Sequence, residues 1–332
     1  MHHKEYSLGN VQLQSGEILV DAKIAYETYG VLNHNKSNVV IIPTFYTGTH
    51  VRNESYFGPG RAIDPANFFI VSPNLFGNGL STSPSNARQK GSAFPNITFY
   101  DNVVCQHRLL SEVFGIERVK LVMGWSMGAC QAFQWGAQFP DKVEAILPFC
   151  GSAKTAPHNF VFLEGVKAAL QADAAFQAGD YEKQPIKGLK AFGRVYAGWA
   201  YSQTFFREGL FRKLGFETIE DLLRDWEQDH LTWDANDLLM KLWTWQQGDI
   251  SANTLYNGNL DKALAAIQAK AIVMPCSHDL YFTVDDSALE VSSMKNAELR
   301  IINSPWGHCV ASGNIVPAFH HALDAAINDL IG

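Results

Sequence analysis

Short apolar runs separated by longer amphipathic stretches set the rhythm of this chain. Val39–Ile42, Phe68–Val71, Val119–Met123, Val143–Phe149, Ala271–Met274 and Leu299–Ile302 are each brief, mostly apolar and bounded by polar or turn residues. Strands that a parallel sheet covers on both faces read this way. Ahead of them, Val11–Leu13 and Ile18–Tyr26 flank Ser15-Gly16 and read as an antiparallel hairpin at a sheet edge. Tyr100–Phe114, Ala129–Gln138 and Pro317–Leu330 carry helical spacing, and the second of these stops before Pro140, where the residue preceding a proline resists helix. Alternation of strand and helix predicts an α/β fold with a mostly parallel, doubly wound sheet and right-handed crossovers.

From Asn159 to Leu264 the rhythm changes. Strand-like runs stop, and apolar and aromatic residues recur at helical intervals. The pattern predicts a helical lid, residues 159–264, inserted into a core built from residues 1–158 and 265–332. Trp199, Trp226, Trp233, Trp243 and Trp245 all fall in this insertion and read as packing.

Composition narrows what such a protein can bind. At 332 residues, 47% hydrophobic and 18% charged, the chain suits one large domain with an insertion. No window approaches the roughly 18 consecutive apolar residues of a membrane span. The opening Met1-His2-His3-Lys4-Glu5 has no apolar stretch behind it, so the expectation is a cytoplasmic protein without a secretory signal. Cys105, Cys130, Cys150, Cys276 and Cys309 are odd in number and lack C-x-x-C spacing, which favours buried reduced thiols over disulfides or zinc. A net charge of −7 without a lysine or arginine cluster argues against nucleic acid and anionic membranes as partners. Gly77 and Gly79 begin a dinucleotide-like loop, but Thr82 stands where its third glycine would be, and H-E-x-x-H is absent. Neither cofactor nor metal is expected. A small molecule remains as the partner, with a homodimer left open.

The chemistry concentrates at the end of one strand. Gly124-Trp125-Ser126-Met127-Gly128 matches G-x-S-x-G, with a strand before it and a small-residue helix after it, the context in which the serine is held exposed on a tight turn. A serine hydroxyl needs a base, and the base needs an orienting acid. Asp279 follows the strand run Ala271–Met274, and His308 follows Leu299–Ile302. Ser126, Asp279 and His308 can therefore meet at one rim of the sheet, in the chain order that resembles the triad of α/β hydrolases. Asp285 and Asp286, just behind Asp279, read as the cap of a following helix. Two backbone N–H groups should hold the oxyanion: Met127 supplies one, and Tyr46, or failing it Phe45, supplies the other. Phe45, Trp125, Tyr281 and Trp306 are the expected substrate-binding side chains, around an apolar pocket.

Seven segments carry a wider resemblance: Tyr26–Gly30, Thr47–His50, Ser72–Asn74, Gly124–Gln131, Asp141–Val143, His278-Asp279 with Phe282, and Ser304–His308. Together they resemble the homoserine O-acetyltransferase family of α/β hydrolases. The resemblance implies an α/β-hydrolase fold with a helical lid and ping-pong chemistry through an acyl-serine, with Ser126, Asp279 and His308 as its triad. This chain departs from it where the acceptor is recognised. Cys309 stands where the acetyltransferases have aspartate, and Tyr201-Ser202 where they have Tyr-Arg. The family's His-Ala-Leu-Thr-Gly is here Thr44-Phe45-Tyr46-Thr47-Gly48. Homoserine's two charges would then be buried unpaired at a cost of several kcal/mol. The expected activity is hydrolysis of small, mainly uncharged acyl esters, with acetyl-CoA-dependent O-acyl transfer to a hydroxyl acceptor as the alternative.

Overall fold

Each interior apolar run becomes a strand of one sheet. The computed structural model describes residues 2–332. Its strands are β1 (Lys4–Gln12), β2 (Ile18–Tyr29), β3 (Val39–Ile41), β4 (Phe69–Pro73), β5 (Leu121–Trp125), β6 (Ala145–Phe149), β7 (Lys270–Val273) and β8 (Ala297–Leu299). They form an 8-stranded sheet in the order β1-β2-β4-β3-β5-β6-β7-β8. The hairpin β1–β2 is antiparallel and joins β4 antiparallel, while β4-β3-β5-β6-β7-β8 is parallel. Every residue of β3, β4, β5 and β6 is buried, as apolar runs covered on both faces require.

The last strand differs from expectation. Regular pairing covers Ala297–Leu299, and Ile302 only bridges to Cys276. An edge strand is not covered on both sides, so its apolar letters do not mark it: Ile301 is 50% exposed, while Arg300 pairs with Glu298 and Asp329.

Helices pack on both faces. Following β3 is the single turn α1 (His50–Asn53), and preceding β5 is α2 (Phe99–Arg108), which runs on through a wider turn at Leu109–Val113. Thr98 and Asp101 start α2 by bonding each other's backbone N–H groups reciprocally. After β5 comes α3 (Met127–Gln138), buried along its whole length between sheet and neighbours. Its many small residues permit that close approach.

Between β6 and β7 run α4 (Pro157–Gln171), α5 (Ile186–Ala200), α6 (Gln203–Arg207), α7 (Ile219–Leu231), α8 (Ala235–Gln246) and α9 (Leu260–Ala266). Their apolar faces do not close on themselves. Phe162, Tyr196 and Trp245 share one buried cluster with Tyr281 and Phe282 from the loop after β7. Trp245 is fully buried, in keeping with the packing role read for the tryptophans, whereas Trp226 is only partly so. The chain ends with α10 (Val284–Ser292) and α11 (Pro317–Ile331).

One interior carboxyl secures the strap that leaves β6. Glu290, on α10 and 6% exposed, accepts the N–H groups of Ala153 and Lys154 at 2.8 and 3.2 Å. Burial pushes its carboxyl up to about 8. Because this value is raised above that of the unfolded chain, the folded state binds more protons in the interval between, and stability falls as pH rises from about 5 to about 8. Glu290→Gln keeps an acceptor for both N–H groups and removes the titration. Thermal unfolding followed across that interval should show a smaller loss for the variant than for the parent; equal losses would rule out Glu290 as the source.

Candidate active site

The turn between β5 and α3 is set by steric necessity. A Cβ on Gly124 would lie 2.6 Å from the Gly128 carbonyl carbon, and one on Gly128 would lie 2.7 Å from the Pro43 carbonyl oxygen. Only glycine lets strand, helix and the neighbouring loop approach so closely. Between them Ser126 adopts φ 58°, ψ −126°, a conformation costing a non-glycine residue on the order of 1–3 kcal/mol. Its own N–H donates to the Phe149 carbonyl at 3.1 Å, which helps hold the strained residue at the sheet's end.

His308 and Asp279 arrive from the loops after β8 and β7. His308 Nε2 lies 3.0 Å from Ser126 Oγ, and its Nδ1 lies 2.7 Å from Asp279 Oδ2. Asp279 Oδ1 accepts the N–H groups of Tyr281 and Phe282 at 2.8 and 3.2 Å, so both carboxylate oxygens have partners. Aromatic rings clamp the imidazole: Trp125 stacks on it at 5.1 Å, and Tyr281 meets it edge-on at 4.7 Å. Asp285 and Asp286 stand apart, in the first turn of α10, where Thr283 rather than either aspartate is the capping residue.

The oxyanion donors expected from the sequence sit on two segments tied together by one side chain. Met127 begins α3, so no earlier helical carbonyl accepts its N–H. Gln131 Nε2, fully buried, donates to the Met127 carbonyl at 3.0 Å and to the Thr44 carbonyl at 2.9 Å. Gln106 in turn donates to Gln131 Oε1 at 2.6 Å and accepts from Trp135 Nε1 at 2.8 Å. In the loop after β3, the Phe45 carbonyl accepts from Gly48 N–H at 3.1 Å. Phe45 and Tyr46 share one peptide plane, so the Tyr46 N–H is turned away from Gly48.

A cavity of about 250 Å³ opens over Ser126 and His308. Phe45 and Trp125 line it, together with Trp226, Leu214, Phe216 and Ile315. Tyr281 and Trp306 do not. Tyr281 is packed behind His308, and Trp306 lies against Phe205 of α6, because the loops carrying them fold inward beneath the rim.

Charge at this cavity is the feature the sequence pattern did not reveal. Arg52 of α1 lines the cavity together with Asp225 and Asp229 of α7. Burial, then the neighbouring Asp229, raises the Asp225 carboxyl, with Arg52 opposing. The i, i+4 spacing of the two aspartates puts them on one face of α7, and the docking of α7 turns that face toward the cavity over Ser126.

The family model described as alpha/beta hydrolase fold matches residues 38–310. This chain belongs to the α/β-hydrolase family. A probable esterase of Corynebacterium glutamicum is 40% identical over 309 residues, which span 91% of this hydrolase and 88% of the relative. An ethyl acetate hydrolase of Pseudomonas veronii is 38% identical over 331 residues, spanning 98% and 94%. The solved structure of an acetylester hydrolase from Corynebacterium glutamicum superposes with a TM-score of 0.94 at 37% identity, covering 98% of this hydrolase and 96% of that chain. The resemblance to homoserine O-acetyltransferases is also real: that of Chlorobaculum parvum is 31% identical over 315 residues, spanning 89% and 86%.

Proposed function

We propose that this carboxylic-ester hydrolase cleaves small, mainly uncharged acyl esters through an acyl group carried on Ser126. The observation that carries the mechanism is the position of His308, in reach of Ser126 Oγ with one ring nitrogen and of Asp279 with the other. Ser126 Oγ attacks the ester carbonyl carbon while its proton passes to His308 Nε2. Negative charge on the carbonyl oxygen is held by the N–H groups of Met127 and Tyr46. Collapse breaks the bond to the alcohol oxygen, which leaves with the proton held by His308. Water then attacks the acyl carbon as its proton passes to His308, and the bond from the acyl carbon to Ser126 Oγ breaks as that oxygen takes the proton from His308, releasing the carboxylic acid and restoring the serine. Asp279 orients the imidazole and stabilises its charged form throughout.

The size of the cavity and the aromatic walls of Phe45 and Trp125 favour a short acyl group. Helices α4–α9 serve as the lid over it. Five buried, unpaired cysteines fit a reducing, cytoplasmic setting.

Acyl transfer from acetyl-CoA is the second reading, favoured by the 31% identity to a homoserine O-acetyltransferase. Cys309 on the cavity wall, whose thiol burial pushes up to about 12 and keeps neutral, offers no charge to an ammonium group at that position, so an amino-acid acceptor would have to pair instead with Arg52, Asp225 and Asp229, on α1 and α7. Initial rates on p-nitrophenyl esters of increasing chain length, with and without a hydroxyl acceptor, test the choice. Hydrolysis should proceed without acceptor and be fastest for the shortest esters. Release of CoA from acetyl-CoA that depends on an added alcohol and outpaces ester hydrolysis would overturn it.

A further inference from the structure

We infer that Lys241 is a positioning residue for the oxyanion loop, its buried amine holding the Tyr46 backbone so that the Tyr46 N–H faces the reacting carbonyl. This rests on the proposed role of the Tyr46 N–H. Lys241 lies on α8, within the inserted helices, and has no exposed surface. Its Nζ donates to the Tyr46 carbonyl at 2.6 Å and sits 3.9 Å above the ring of Trp233.

The same helix holds Tyr46 a second time. The Tyr46 hydroxyl donates to the Leu238 carbonyl at 2.8 Å, and Leu238 lies one turn before Lys241, on the same helical face. With the Phe45 carbonyl pinned by Gly48 N–H, Tyr46 is fixed at its preceding peptide, its own carbonyl and its side-chain tip. Its backbone N–H has no partner among the described residues and is left to meet substrate.

A buried amine is a costly way to satisfy one carbonyl. An apolar side chain of the same shape often serves stability as well or better. Burial pushes Lys241 down to about 7, with Asp237 on its own helix and Asp229 on α7 pulling the other way. Stability alone gives little reason for lysine here. A donor reaching from α8 to the oxyanion loop gives one, and it makes the inserted helices part of the reaction machinery as well as a cover.

The test compares Lys241→Met, which keeps the stem and removes the donor, with the parent enzyme. Two quantities are read: kcat/KM for p-nitrophenyl acetate, and affinity for a trifluoromethyl ketone, which forms a tetrahedral adduct resembling the intermediate. Misplacing one oxyanion donor should lower both in parallel, by roughly 10²-fold, with KM little changed. If Lys241→Met does not fold, Trp233→Leu, which removes the ring beneath the amine, should lower both in the same ratio by a smaller factor. Unchanged kcat/KM, a rise in KM alone, or loss of activity without loss of inhibitor affinity would overturn the role of Lys241. Those outcomes would leave the esterase mechanism standing. Absence of ester hydrolysis in the parent enzyme would instead remove the mechanism itself.

Discussion

Ser126→Ala should lower kcat for a short-chain ester by about 10⁶-fold, the scale at which a triad acting as a unit fails when its nucleophile is removed. Alanine has no oxygen to accept the acyl group, so the two-step path closes. What the proposed mechanism leaves is the slower attack of water on an ester whose carbonyl oxygen the Met127 and Tyr46 N–H groups are proposed to hold. The protein should remain folded. The Ser126 hydroxyl is bonded only by His308 among the described residues, and alanine fits the same space at the same backbone angles. Steady-state kinetics together with thermal unfolding check both halves of the expectation. A loss below about tenfold, roughly 1.4 kcal/mol, would mean that Ser126 is not the nucleophile.

Asp279→Asn should cost about 10⁴-fold in kcat while leaving the arrangement of the site nearly unchanged. The reason lies in what the carboxylate already holds. Asp279 Oδ1 accepts from Tyr281 and Phe282 N–H, and an asparagine must turn its amide oxygen the same way or leave two buried donors unpaired. Its NH₂ then faces His308 Nδ1. That nitrogen becomes an acceptor, the ring proton moves to Nε2, and the imidazole presents a hydrogen to Ser126 where it should present a lone pair. Comparison of kcat and KM for the variant and the parent decides the matter: a fall in kcat of under about tenfold would show that tautomer control by Asp279 is not needed.

Much of this site was legible in the chain. The elbow announced itself through two glycines that nothing larger can replace, and Ser126, Asp279 and His308 fell after three strand-like runs whose ends a parallel sheet brings to one edge. Local pattern was enough because strands covered on both faces leave an unambiguous apolar signature. It failed where a residue's direction is set by distant packing. Tyr281 and Trp306 stand close to Asp279 and His308 in sequence, yet their loops turn them inward, so proximity along the chain misjudged them as pocket walls. Arg52, Asp225 and Asp229 belong to α1 and α7, and only the docking of α7 brings them to one cavity. Gln131 and Lys241 were equally silent. An amide or an amine in a helix reads as solvent-facing until the tertiary fold shows that it is buried, and both here grip carbonyls of the loop after β3.

Intact-protein mass spectrometry after treatment with a small fluorophosphonate, followed by peptide mapping, tests most directly whether Ser126 is the group that carries the acyl chain. The mechanism predicts one adduct per chain, located on Ser126, formed with loss of esterase activity in equal proportion and greatly slowed in Asp279→Asn. An enzyme that stays active while Ser126 is fully modified, or that is inactivated by an adduct on another residue with Ser126 free, would contradict it.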